Sequence, residues 1–131
     1  MSHFSTIKTT FVSKDHLKKA LQDVTNEFGL GNIRENAMVG GYGGSATRAD
    51  IVAGTRNKGY DIGFRSENGA YGLVADWYGI KDIDKDSLTN RLSQRYAYHA
   101  VKEKLEEKGF SFVEEEVTEE NTIHLRVRRA V

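Results

Sequence analysis

Lys58-Gly59-Tyr60-Asp61-Ile62-Gly63-Phe64-Arg65-Ser66-Glu67-Asn68-Gly69-Ala70-Tyr71-Gly72-Leu73-Val74-Ala75-Asp76-Trp77 is the stretch that decides the fold. Its first half, Lys58 to Ser66, alternates: Tyr60, Ile62 and Phe64 fall on one face, Asp61, Gly63 and Arg65 on the other. Its second half repeats the device, with Tyr71, Leu73, Ala75 and Trp77 as the inward row. Between them Glu67-Asn68-Gly69 supplies residues that tolerate positive φ, the requirement of a tight hairpin turn. Two alternating runs joined by such a turn predict an antiparallel pair with one covered face.

Working outward, Asn57-Lys58-Gly59 reads as a further hairpin turn, with strands over Ala37 to Tyr42 and Arg48 to Thr55 before it. Of the 13 glycines, all but Gly109 cluster between residues 29 and 79, as a turn-rich meander requires. Upstream, His3 to Val12 reads as a strand with Ile7, Thr9 and Phe11 on one face. Ser13 is placed to cap a helix over residues 14 to 28, with Asp15 in its first turn. Leu17, Ala20, Leu21, Val24 and Phe28 give its apolar stripe, and Gly29 its left-handed end.

Downstream, a second, longer helix is expected over Asp84 to Lys108. Leu88, Leu92, Tyr98, Val101 and Leu105 form its stripe. Phe110 to Val117 and Thr122 to Ala130 then read as a last hairpin around Glu119-Glu120-Asn121. The order β-α-β-β-β-β-α-β-β predicts a single α+β domain over residues 1–131. It is a two-layer arrangement, an antiparallel sheet of about six or seven strands with both helices on one face. The first and last strands are taken as neighbours.

Composition narrows the function. A chain of 131 residues fits one domain, burying roughly two-thirds of its unfolded surface. The absence of cysteine excludes disulfides, cysteine zinc sites, iron–sulfur clusters and thiol nucleophiles. Lys+Arg and Asp+Glu both number 19, so nucleic-acid binding would need a local basic patch. No apolar run approaches the roughly 20 residues of a membrane span. Met1-Ser2-His3-Phe4-Ser5 lacks the pattern of a signal peptide, and a cytoplasmic location is expected.

Few motifs carry chemistry. Gly41, Gly43 and Ala46 sit at dinucleotide-loop spacing, but strand-like sequence follows where a helix would have to begin. The loop is read as a flexible hairpin, with partner contact as a further possibility. Asp82, Asp84 and Asp86 open like a calcium loop, then Ser87 and Ser93 stand where glycine and glutamate are needed. Histidines 3, 16, 99 and 124 have no metal-ligand spacing. No cofactor, metal or catalytic residue is expected.

Gln94-Arg95-Tyr96-Ala97-Tyr98-His99 concentrates polar and aromatic groups on the long helix. Arg95 falls where the stripe needs an apolar side chain, and so requires a partner; Asp61 and Asp76 are the candidates. Arg95, Tyr98, His99 and Asp76 thus form either a small pocket for a ligand or a partner's side chain, or a satisfied helix–sheet contact. His124, Arg126 and Arg128 form the best basic row, opposite Glu114, Glu115 and Glu116.

Several segments together resemble a family, the hypothetical chloroplast reading frame thirty-five proteins of algal plastids and cyanobacteria, with relatives in other bacteria. They are Met1-Ser2-His3-Phe4-Ser5-Thr6-Ile7-Lys8, Ala49-Asp50-Ile51-Val52, Gly59 to Arg65, Leu73-Val74-Ala75-Asp76, Gln94 to His99 and Val113-Glu114-Glu115-Glu116. Gly40 to Gly44 is richer in glycine than that pattern. The resemblance implies an accessory role beside an ATPase of the AAA type, in the cytoplasm, or the stroma where plastid-encoded. It assigns no residue a role. The expected function is that of a non-enzymatic protein-interaction domain. A ligand pocket along the long helix is the alternative, and RNA binding by the last strand a weaker one.

Overall fold

The computed structural model describes residues 3–117 and 123–129, with the backbone alone at 112–117 and 124–127. The elements run β1 (Ser5–Lys8), α1 (Lys14–Phe28), β2 (Ile33–Gly40), β3 (Ala46–Gly54), β4 (Asp61–Glu67) and β5 (Ala70–Ala75). One 3-10 turn (Tyr42–Gly44) lies between β2 and β3, and another (Trp77–Gly79) leads to α2 (Lys85–Glu107), β6 (Phe110–Val117) and β7 (Ile123–Arg129). The fold is α+β, with antiparallel pairing throughout.

Local chemistry sets the helix ends. Ser13 accepts the His16 N–H at 3.2 Å, and Gly29 closes α1 at φ 65°. Asp84 caps α2 by accepting the Ser87 N–H at 3.0 Å. The Ser87 hydroxyl, donating at 2.7 Å, and then that N–H hold the Asp84 carboxyl below its ordinary range. Asp84 and Asp86 therefore serve the start of a helix, while Asp82 accepts from Asn57 Nδ2 at 2.7 Å and pairs with Arg56. Asn68 and Gly69, at φ 53° and 87°, make the two-residue turn between β4 and β5.

The seven strands divide, where one sheet was expected. Five form the main sheet in the order β1-β5-β4-β3-β2, and β6 pairs with β7 separately. β1 lies beside β5, with Ser5 opposite Ala75 and Lys8 opposite Gly72, so the first and last strands are not neighbours. The interhelical ion pairs put Glu103 beside the first turn of α1, so the end of α2 runs past α1 and launches β6 beyond the helix pair. β1 is shorter than His3 to Val12, because Thr9 turns its hydroxyl onto the Tyr71 carbonyl at 2.5 Å and ends the ladder. Trp77 lies in the 3-10 turn rather than in the strand, and packs against the same core as Leu73 and Ala75. The turn at Glu119-Glu120-Asn121 lies outside the described residues.

Both helices cover one face. Leu17, Leu21 and Val24 of α1 and Leu88 and Leu92 of α2 are fully buried against Ile51, Ile62, Phe64 and Leu73. The α2 stripe departs from expectation after Leu92. Val101 is exposed, and Tyr96 rather than Tyr98 turns to the core. The Tyr96 ring stacks on Phe11 at 4.8 Å, and its hydroxyl accepts the Val12 and Ser13 N–H groups at 3.0 and 2.9 Å.

The second face is closed by the β2–β3 hairpin folding over it. Ala37, Val39 and Ala49 share strand parity with Ile33 and Ile51, yet they pack with Val52 on the opposite face. Asn36, left-handed at φ 49°, stands at the break, where pairing lapses between Glu35↔Ile51 and Ala37↔Ala49. Gly63 permits the close approach: a Cβ there would meet Val39 Cγ2 at 2.4 Å and the Ala49 Cβ at 2.9 Å. The Gly40 N–H then donates to Asp61 Oδ2 at 2.8 Å, which carries the hairpin tip to the ends of β4 and β5.

Candidate functional site

At that tip stands Asp76, fully buried directly after β5. Its Oδ2 accepts the Tyr42 N–H at 2.9 Å and its Oδ1 the Tyr78 N–H at 3.1 Å. One carboxylate thus fastens two loops, the glycine loop after β2 and the 3-10 turn after β5. Gly41 lets the first loop come this close, since a Cβ there would meet the Phe4 ring at 2.8 Å and Asp76 Oδ2 at 3.0 Å.

The loops present their rings outward. Tyr42 is 43% exposed and Tyr78 59%, values that set them apart from the buried Tyr71. Their rings meet edge-to-face at 5.8 Å. His3 completes a triangle, stacked on Tyr78 at 4.9 Å and edge-on to Tyr42 at 5.8 Å. Lys81 lies over the Tyr78 ring at 5.1 Å while donating to the Tyr78 carbonyl at 2.7 Å. Behind them the Tyr60 ring lies against Gly79, where a Cβ would meet it at 2.0 Å. Burial there, then the Asp76 charge, pushes the Tyr60 hydroxyl above its ordinary value. The result is an exposed aromatic platform whose backbone is fixed from below.

The residues expected to cluster on α2 do so, without Asp76. Arg95 donates to Asp23 Oδ2 of α1 at 2.8 Å, and His99 Nε2 meets the same oxygen at 2.7 Å. The Arg95 guanidinium also lies 4.2 Å from the Tyr98 ring centroid. Asp61 and Asp76, the expected acceptors, are engaged with the Gly40 N–H and with the Tyr42 and Tyr78 N–H groups. The group is one rung of an interhelical ladder, with Glu27–Arg91 on one side and His16–Glu103 on the other. An anion approaching Arg95 would have to displace Asp23.

In the last hairpin, the backbone register sets Glu114 opposite Arg126, Glu116 opposite His124 and Ser111 opposite Arg128. Arg128 is exposed; the side chains of His124 and Arg126 lie outside the described residues.

Sequence reasoning singled out Asp76 and the glycine loop but did not join them, and it passed over Tyr42, Tyr78 and His3. The available signal was a tyrosine flanked on both sides by paired glycines, Gly40-Gly41-Tyr42-Gly43-Gly44, a ring that has no neighbour to bury it.

Residues 20–126 match the family described as "Protein of unknown function (DUF1257)". The chain belongs to this family. Curated proteins similar to this DUF1257 member include the "Uncharacterized protein ycf35" of Guillardia theta, 37% identical over 130 residues with 98% of each chain covered. The protein of the same name from Cyanophora paradoxa is 33% identical over 132 residues, again with 98% of each chain covered. That of Pyropia yezoensis is 30% identical over 132 residues at the same coverage. The resemblance read from the sequence is therefore this ycf35 family. No solved structure matches the chain. Among the described residues no helix is long and apolar enough to cross a membrane.

Proposed function

We propose that this DUF1257 protein is a non-enzymatic accessory domain that docks a protein partner on the platform of His3, Tyr42 and Tyr78. The observation that carries this reading is the double use of Asp76. A fully buried carboxylate holds the backbone N–H groups of the two exposed tyrosines and orders their loops in advance. Ordering a loop and its side chains costs binding free energy, and a surface ordered beforehand avoids that cost. Tyrosine is enriched where interfaces bind most strongly, because its ring buries apolar area while its hydroxyl keeps a polar contact. Here both rings face solvent and meet each other.

The partner we expect is an ATPase of the AAA type, met in the cytoplasm, or in the stroma where the family member is plastid-encoded. A tagged chain carried through affinity capture from its native host tests the reading. The wild type should recover the same protein reproducibly, and the Tyr42→Ala/Tyr78→Ala chain should lose it while keeping its far-UV circular dichroism and melting temperature. Recovery undiminished by the double substitution would overturn the platform. Reproducible recovery of a partner other than an ATPase would overturn only the identity.

A further inference from the structure

We propose that Asp15, His16 and Glu103 form a binding site for a first-row divalent cation, with Zn²⁺ as the reference probe. The site is separate from the aromatic platform and built by the helix pair. One ligand atom from each residue lies within 4.8 Å of the others. His16 and Glu103 are 87 residues apart and already in contact through Nε2 and Oε2, so the fold, not a local motif, creates the arrangement. Histidine spacing along the chain therefore carries no sign of it.

Three features favour a cation. First, the donor set mixes one imidazole nitrogen with two carboxylates, a set suited to borderline and harder first-row ions. Second, the imidazole is held in place: its ring is edge-on to Tyr96 at 5.7 Å, and the Tyr96 hydroxyl is itself fixed by the Val12 and Ser13 N–H groups. A ring already positioned loses less freedom on binding than a mobile one. Third, Asp15 and Glu103 are exposed, and Glu103 borders an open groove of ≈ 620 Å³, so water can reach the carboxylate side of the site. The start of α1 would by itself repel a cation, but the end of α2 lies alongside and offsets it with the opposite partial charge. Asp15 favours the helix start and pairs with Lys19, and its carboxylate also lies within 4.8 Å of the other two ligand atoms, where it offers a cation a third donor.

Lys19 is the built-in competitor, its ammonium 3.1 Å from Asp15 Oδ2. This gives the test a variant that should gain. Chelator-treated full-length chain is titrated with Zn²⁺ by calorimetry in a non-coordinating buffer, alongside His16→Gln, Glu103→Gln, Lys19→Gln and His3→Gln. Saturable uptake of one ion is expected, at least about tenfold weaker in His16→Gln and Glu103→Gln. Uptake should tighten in Lys19→Gln and be unchanged in His3→Gln. If His16→Gln does not fold, Asp15→Asn replaces it, since that carboxylate is exposed and its loss leaves the helix cap intact. No saturable uptake, or uptake that survives the substitutions at positions 16 and 103, would overturn the site.

Discussion

Asp76 Oδ2 accepts the backbone N–H of Tyr42 at 2.9 Å across 34 residues of chain, tying the tip of the β2–β3 hairpin across β4 to the end of β5. Everything exposed at that corner depends on this bond and on its counterpart from Tyr78. Docking at this corner needs both bonds, since they hold the two exposed tyrosines in place.

Asp76→Ala should leave two backbone donors without their acceptor in a buried place. Losses of this kind cost about 1–3 kcal/mol. Urea denaturation should report that loss, and hydrogen exchange should place it, with the Tyr42 and Tyr78 amides exchanging faster than those of β4. A uniform acceleration, or none, would mean the loops are held otherwise.

Gly63→Ala should destabilise through steric overpacking, because the new methyl would stand 2.4 Å from Val39 Cγ2. Inserted methyl groups in packed cores cost about 1–3 kcal/mol. Adding Val39→Ala removes the obstructing methyl, so the double variant should be less destabilised than the sum of the single ones. Strict additivity in denaturant midpoints would contradict the folded-over hairpin.

Tyr96→Phe keeps the ring on Phe11 but removes the acceptor of two backbone N–H groups at 3.0 and 2.9 Å. We expect a loss of about 1–2 kcal/mol in chemical denaturation. An unchanged stability would show that water replaces the hydroxyl without cost.

Glu35 gives a pH dependence of known sign. Hydrogen bonds from Lys14 and then Lys18 pull its carboxyl from 4.5 to about 2 in the folded chain. Its folded-state value is depressed, so its contribution is present above 4.5 and disappears as pH falls toward about 2. Glu35→Gln should therefore flatten the decline of melting temperature across that window. The difference from wild type should shrink in high salt, because the pairs with Lys14 and Lys18 are exposed.

Much of this fold was legible because local rules acted alone. Ser13 and Gly29 bound α1 where their capping chemistry says they should, and Asn68-Gly69 turned where two positive φ angles were needed. The folded-over hairpin was not legible, since it depends on a left-handed asparagine that reverses the strand faces midway. Nor was the partner of Arg95. Asp23 lies 72 residues away on the other helix, and only the packing of α1 against α2 brings them together. The helical spacing of His16, Asp23 and Glu27 against the four-residue spacing of Arg91, Arg95, His99 and Glu103 outlines the ladder. The candidate site was half visible: Asp76 and the glycine loop stood out, but their convergence is a tertiary fact.

Site-specific photocrosslinking in the native host tests the central claim most directly. A photoreactive phenylalanine analogue is placed at Tyr42 or Tyr78 on the platform, or at Gln22 on the exposed side of α1. The account predicts one recurrent protein adduct from positions 42 and 78, and none from position 22. An adduct from position 22 with none from the platform would contradict it.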